Sequence, residues 1–340
     1  MQYSSICRSC VGFLPPRQTR DGRPESRWVI FSTTTGRAWM PTSQDPMILR
    51  RRLRDKLRRL REAAGLTQRD VATRLEWSLS KVIRIESGGV GVTVTDLRAL
   101  IQQYGITDRT RVDELLALAR GARRRTPWSA YRTIVSPALL TFLGYESSAT
   151  LIRNFEPLRI PGLLQTEGYA RAILEHLSPG RHVDEQVRLR LDRQRILQNG
   201  EDEPLLNFVI DEGVLYRPVG GVSAMCEQLR HLLTVREYPR VFVRIAPLSA
   251  GLNSIVNLGY TIFEFRDPED GLVLSVEGPE EKHLTIRENS EVEAPLNYLE
   301  DFWRLEQIAH LDQAEELIRR ALDHLSAGST GIPGPHPSAS

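Results

Sequence analysis

Residues 67–86, TQRDVATRLEWSLSKVIRIE, narrow the choice of fold more than any other stretch of the chain. Val71, Ala72 and Leu75 recur at helical spacing, as do Val82 and Ile85, and Glu76-Trp77 falls between the two runs. Thr67 and Ser78 stand where the runs begin, and their hydroxyls suit the backbone N–H groups that the first turn of a helix leaves unpaired. The spacing predicts two short helices joined by a tight turn. Ala72 sits at their crossing, where a small residue permits close approach. The apolar set Val71, Leu75, Trp77, Val82 and Ile85 holds the angle between them, so the start of the second helix points outward.

The neighbouring sequence extends this unit into a five-helix bundle over 47–122. Leu53, Leu57 and Leu60 define a first helix from about Ile48, with arginines on its other face, closed by Gly65. The helix begun by Ser78 ends at ESGG. Thr95 opens a fourth helix through Leu97, Leu100 and Ile101, stopped by Gly105, and a fifth covers 109–122 with Val112, Leu115, Leu116 and Leu118. Residues 1–46, rich in Pro, Gly, Ser and Thr, are expected to be a poorly ordered extension with at most a short strand at RWVIF. Translation starting at Met40 or Met47 would leave the bundle unchanged. RRRTP, 123–127, reads as a linker.

Beyond it, 128–325 mixes both periodicities, which predicts an α+β domain. Helices are expected at 128–144, 166–177, 183–199, 221–236, 289–309 and 312–325, and strands at 149–156, 205–210, 240–246, 258–265, 272–277 and 282–286. The tail 326–340 reads as disordered.

The chain's net charge of +2 hides a division. Residues 47–125 hold 19 Lys and Arg against 9 Asp and Glu, whereas 126–340 hold 20 against 31. A basic module joined to an acidic one suggests that the first meets a polyanion and the second a different partner. No apolar run approaches the roughly 18 residues of a membrane span, and there is no secretory signal pattern. Three cysteines make no disulfide framework, and Cys7-x-x-Cys10 lacks a second ligand pair. A cytoplasmic, nucleoid-associated protein is expected.

Two helices at a fixed angle within a basic bundle are the unit that seats a helix in the major groove of double-stranded DNA. Ser78 and Ser80 can bond base edges or phosphates, Leu79 suits a thymine methyl, and Arg84, one turn on, suits guanine O6 and N7. Lys81 is placed for phosphate, and Thr67 and Gln68 can anchor the backbone. Arg61 and Arg69 would add charge beside the same groove. A bundle with merely solvated arginines is the bland alternative, and the ordered caps, small crossing residue and paired apolar positions weigh against it.

The acidic half offers little chemistry. Asp211-Glu212 follows a strand and suits helix capping better than acid–base catalysis. Pro161-Gly162 before Leu163-Leu164 is a buried strand-to-helix corner or, less simply, the lip of a groove. The histidines (His176, His182, His231, His283, His310, His324 and His336) show no metal-ligand spacing, and no phosphate loop or G-x-S-x-G occurs. The amphipathic run with Leu299, Phe302, Trp303, Leu305 and Ile308 fits core packing, with a partner or dimer seam as the alternative. No enzyme, cofactor or metal is expected.

Residues 50–105, through LRRLREAAGLTQRDVATRL and SKVIRIESG, resemble the Xre/Cro-repressor-like helix-turn-helix family, which implies a lambda-repressor-like head. The resemblance implies DNA contacts by Gln68, Ser78, Leu79, Ser80 and Arg84, and a structural role for Glu86. Glu76 departs from the family pattern, which often has Gly there because the backbone is left-handed. Residues 128–320, through FEPLRIPGLLQTEGYARAIL, VRLRLDRQRIL, FVIDEGVLYRPVGG, VRIAPLSAG and YTIFEF, resemble the antitoxin-like C-terminal domain of many actinobacterial regulators. That implies a small protein partner encoded nearby. The expected function is a sequence-specific transcription regulator acting on an operator, and a homodimer would read half-sites about 34 Å apart. Its rivals are an antitoxin-like protein that mainly sequesters a partner and autoregulates its operon, and an enzyme with a DNA-targeting head.

Overall fold

A computed structural model describes residues 46–86, 90–124, 127–177, 180, 182–197, 204–251, 258–267, 270–276, 284–287 and 294–328. The expectations for 1–45, for the end of ESGG and for most of the tail lie outside these residues. The described residues fall within one compact unit.

Five helices build the head: α1 (Pro46–Ala63), α2 (Gln68–Arg74), α3 (Leu79–Glu86), α4 (Val94–Gln103) and α5 (Arg109–Ala122). Their ends have local causes. Thr67 and Asp70 form a reciprocal capping box at α2: Thr67 Oγ1 accepts from Asp70 N at 3.1 Å and Asp70 Oδ2 from Thr67 N at 2.8 Å. Ser78 Oγ accepts from Lys81 N at 3.2 Å at the start of α3. Gly65 and Gly105, at φ +69° and +70°, close α1 and α4 in the left-handed region that glycine enters without a Cβ penalty. One expected boundary is corrected: Thr93, not Thr95, caps α4, accepting from Asp96 N at 3.0 Å and adding a half-buried Val94 ahead of Leu97. Leu53, Leu57, Val71, Ala72, Val82, Ile85, Leu97, Leu100 and Leu115 bury together as the head's core, each large aliphatic side chain contributing about 1.5–3 kcal/mol.

The body carries α6 (Pro137–Glu146), β1 (Leu151–Glu156), α7 (Glu167–Leu177), α8 (Val183–Arg193), β2 (Leu205–Asp211), α9 (Val222–Val235), β3 (Val241–Ala246), β4 (Tyr260–Glu264), β5 (Leu272–Val276), β6 (Leu284–Arg287), α10 (Ala294–Ile308) and α11 (Leu311–Ser326). The six strands lie in the order β3-β2-β1-β4-β5-β6. β1, β2 and β3 are parallel, with α7, α8 and α9 in the connections, and β4, β5 and β6 continue the sheet antiparallel. Alternation sorts the side chains. Ile152, Phe208, Val243 and Phe263 join one core with α6, α7, α9 and α11, whereas Phe155, Val209, Ile262 and Leu274 join another with Leu299, Phe302 and Leu305 of α10. The fold is thus a helical head followed by an α+β body, and all six expected strands are present.

Two expected helices are shorter than their periodicity suggested. The one expected at 128–144 is a 3-10 turn, Pro127–Tyr131, followed after a break by α6. Pro137 begins α6, and Ser136 caps it by accepting from Leu139 N at 3.2 Å. The helix expected at 183–199 yields to a 3-10 turn, Gln194–Leu197, after Arg193.

The corner around Pro161-Gly162 is buried and internally satisfied. Ile160 N donates to Tyr169 Oη at 3.1 Å, Gln165 Nε2 to the Ile160 carbonyl at 2.6 Å, and Gln228 Nε2 to the Leu164 carbonyl at 2.7 Å. Asp211 caps a 3-10 turn, Glu212–Tyr216, by accepting from Gly213 N at 2.8 Å. Glu212 is buried and accepts from Leu248 N at 2.8 Å and from Arg320.

Chain segment 123–127 is not the only connection between head and body. α1 runs through both: Ile48 lies in the body core, while Leu53 and Leu57 lie in the head core.

Candidate nucleic-acid interface

The angle between α2 and α3 is fixed from beneath by apolar packing and from the side by a buried polar junction. Val71 and Ala72 of α2 meet Val82 and Ile85 of α3, all buried. Beside them Glu86 accepts from Arg61 Nε at 2.7 Å and from Arg61 Nη2 at 3.0 Å. Gln68 Nε2 donates to the same carboxylate at 2.8 Å, and Arg61 Nη1 to the Leu66 carbonyl at 2.8 Å. One junction therefore ties the end of α1, the turn into α2 and the end of α3. The hydrogen bonds to Glu86 hold the Arg61 pKa above its ordinary value, outweighing burial.

This junction engages Arg61 internally. The residue is 8% exposed and its guanidinium is bonded to Glu86 and the Leu66 carbonyl, at the edge of the hollow that Thr67 and Gln68 also line. Arg69 is exposed.

The turn between the helices passes through Glu76 at φ +53°. The left-handed backbone that the family's usual Gly implies is present despite the Glu, at a cost of about 1–2 kcal/mol for a residue with a Cβ. Trp77 N nevertheless donates to the Ala72 carbonyl at 2.9 Å and closes the turn.

The sequence candidates differ in exposure, and Leu79 packs against the head's core. Thr67, Ser78, Ser80 and Arg84 are exposed, and Gln68, Leu79 and Lys81 are half-buried. Thr67 is engaged in its capping box, Ser78 in its cap and Gln68 in its bond to Glu86. Lys81 Nζ lies 2.7 Å from Asp96 Oδ1 of α4 and 3.6 Å from the centroid of the Trp77 ring. Burial works against the Asp96 carboxylate, but hydrogen bonds from Lys81 and Thr93 outweigh it and keep its pKa below the usual value.

Ile83 was missed by sequence reasoning. It is 42% exposed on α3 and lines an open hollow with Arg58, Gly65, Thr67, Gln68 and Glu86. Its position, three and four residues from Ser80 and Leu79, was a usable signal that an assignment of apolar residues to the core passes over.

Residues 139–319 match the family described as a domain of unknown function, DUF5753, and so cover more than half of the chain. The chain belongs to the DUF5753 family. Residues 52–115 match the family described as a helix-turn-helix domain, spanning α2 and α3 and the helices that support them. No curated protein and no solved structure matches the chain. The DUF5753 region corresponds to the sheet and the helices α6 to α11, and the helix-turn-helix region to the basic head. No helix among the described residues is long and apolar enough to cross a membrane.

Proposed function

We propose that this DUF5753 protein is a sequence-specific DNA-binding transcription regulator, located in the cytoplasm with the nucleoid, and not an enzyme. The helix-turn-helix match gives the class. The observation that carries the reading is the outward side of α3, where Ser80, Ile83 and Arg84, with Ser78 just ahead of them, are exposed while the opposite side of the helix is buried. That arrangement leaves polar, apolar and cationic groups together for the edges of a base-pair step.

Affinity comes first from the phosphates, since the head carries 19 basic against 9 acidic residues over 47–125. Arg84 supplies base discrimination by pairing with guanine, Leu79 and Ile83 supply apolar contact to thymine methyls, and Thr67, Gln68 and Lys81 place the head on the backbone. The acidic body engages a protein partner or an effector, and a homodimer would read two half-sites about 34 Å apart.

Selection of duplex oligonucleotides from a random pool by the full chain tests this. A recovered motif that Arg84→Ala blurs at one or two base pairs supports the assignment. Enrichment of no sequence over random competitor, even at low ionic strength, removes it. The antitoxin-like alternative, in which sequestration of a small partner is the main task, predicts a stoichiometric small protein retained by residues 128–320 in a pull-down from the native host.

A further inference from the structure

Head and body meet at a buried ionic contact that DNA reading does not use. Asp270, 3% exposed, stands at the turn leading into β5. Its Oδ1 and Oδ2 accept from Arg52 Nε and Nη2 at 2.7 and 2.6 Å, a two-point pairing that fixes direction as well as distance. Arg52 Nη2 also lies 3.0 Å from Asp267 Oδ2. The Asp270 carbonyl accepts from Arg51 Nη2, and the Arg51 guanidinium lies 5.8 and 5.6 Å from the ring centroids of Tyr145 and Phe265. Burial pulls the Arg51 pKa below its ordinary value, so the contact removes charge from water on both sides.

The same helix holds the reading unit at its other end. From Arg51 to Arg61 α1 is unbroken, about 15 Å of helix, and Arg61 is locked to Glu86 at the end of α3. Arg50 Nε donates to the Ala122 carbonyl at 2.7 Å, binding the end of α5 to the same helix. α1 is therefore a strut, anchored to the body by two arginines and to α3 by a third.

We infer that Asp270 is a positioning residue for DNA recognition: from the body it fixes α1, and through the Arg61–Glu86 pair it sets the direction in which α3 meets the duplex. The inference rests on the DNA-binding reading, and its test separates the two. Backbone amide relaxation of the full chain without DNA compares residues 68–103 with residues 205–246. Binding to the selected operator and to random duplex is then measured for wild type, Asp270→Ala, Asp270→Asn, and the charge swap Arg52→Asp with Asp270→Arg.

In wild type both regions tumble with one correlation time. Asp270→Ala keeps the Arg51 bond to the residue-270 carbonyl and the burial of Ile48, so the head amides are expected to show added relaxation from motion against the body, with operator affinity lower on the order of tenfold and random-duplex affinity unchanged. Asp270→Asn, which keeps the side chain's shape, gives a smaller loss, and the swap restores both readouts. A head that tumbles independently in wild type overturns the inference. So does an Asp270→Ala protein, folded by its amide spectrum, with unchanged relaxation and operator affinity. Failure of the wild-type chain to prefer any duplex removes the DNA reading while the relaxation result stands on its own.

Discussion

Lys81 of α3 and Asp96 of α4 are joined by a 2.7 Å ion pair on the side of the head that carries the DNA-contact candidates. The pair leaves the ammonium with a competing internal partner whenever it turns to a phosphate. Replacing Asp96 by Asn removes that competitor. The slope of log affinity against log salt is expected to steepen by up to about one unit in Asp96→Asn, and to flatten by about one unit in Lys81→Ala. Titration of duplex binding between low and moderate salt checks both. An identical slope for all three proteins would place Lys81 away from the backbone.

The Arg61–Glu86 junction gives a stability prediction. Both partners are buried, and Glu86 also accepts from Gln68. Glu86→Ala removes two of the guanidinium's hydrogen bonds and leaves those to the Leu66 carbonyl and Glu62, so a loss of about 1–3 kcal/mol is expected. Arg61→Lys loses the two-point geometry and is expected to behave as a substantial change, not a conservative one. Chemical denaturation followed by near-ultraviolet signals from Trp77, which is packed against this core, measures both. A loss below about 1 kcal/mol for Glu86→Ala would show that the junction is dispensable.

The head was readable because its determinants are local: Thr67, Ser78, Gly65 and Gly105 act within a few residues of where they stand. The strands were readable because alternation is local too. What escaped was either a choice between equivalent signals or a contact between distant positions. Thr93 and Thr95 are both able to cap α4, and only the geometry selects the first. Pro137 after Ser136 was a start signal that a continuous apolar rhythm masked. Arg51, Arg52 and Arg61 look like a solvated basic face, yet they meet Asp270 and Glu86, 218 residues from Arg52 and 25 from Arg61. No periodicity of one helix displays such partners. The site shows the same division. Exposure at Ser78, Ser80 and Arg84 follows from the buried face of α3, whereas the engagement of Lys81 by Asp96 depends on how α4 packs.

Glu76, at φ +53°, is a test of turn chemistry. Glycine there relieves a conformational cost of about 1–2 kcal/mol and incurs an entropic cost in the unfolded chain of about 0.4–1 kcal/mol. Glu76→Gly is therefore expected to stabilise the head by up to about 1.6 kcal/mol. Glu76→Val, branched at Cβ, is expected to destabilise it. Thermal unfolding of the two variants beside wild type decides the sign, and stabilisation by Val would contradict a left-handed residue at this position.

Glu156, at the end of β1, sets a pH dependence in the body. Burial drives its pKa from the ordinary 4.5 up to about 7, against the opposing charges of Arg159 and Arg190 and a hydrogen bond with Asn154. Arg159 Nε is 3.9 Å from Glu156 Oε2, too far for a strong charge-assisted bond. The folded state thus holds its proton to higher pH than the unfolded chain does. The stability this provides is fully present below about pH 4.5, declines as pH rises, and is lost above about pH 7. Glu156→Gln keeps the neutral shape at every pH. The wild-type and variant proteins should differ little near pH 4.5 and diverge as pH rises, with the variant the more stable at pH 8. Urea midpoints for both proteins across this range measure the difference and cancel the titration of other groups. A difference that does not change between the two ends would mean that Glu156 titrates alike in both states, and a variant less stable at pH 8 would mean that its carboxylate is held charged by the arginines.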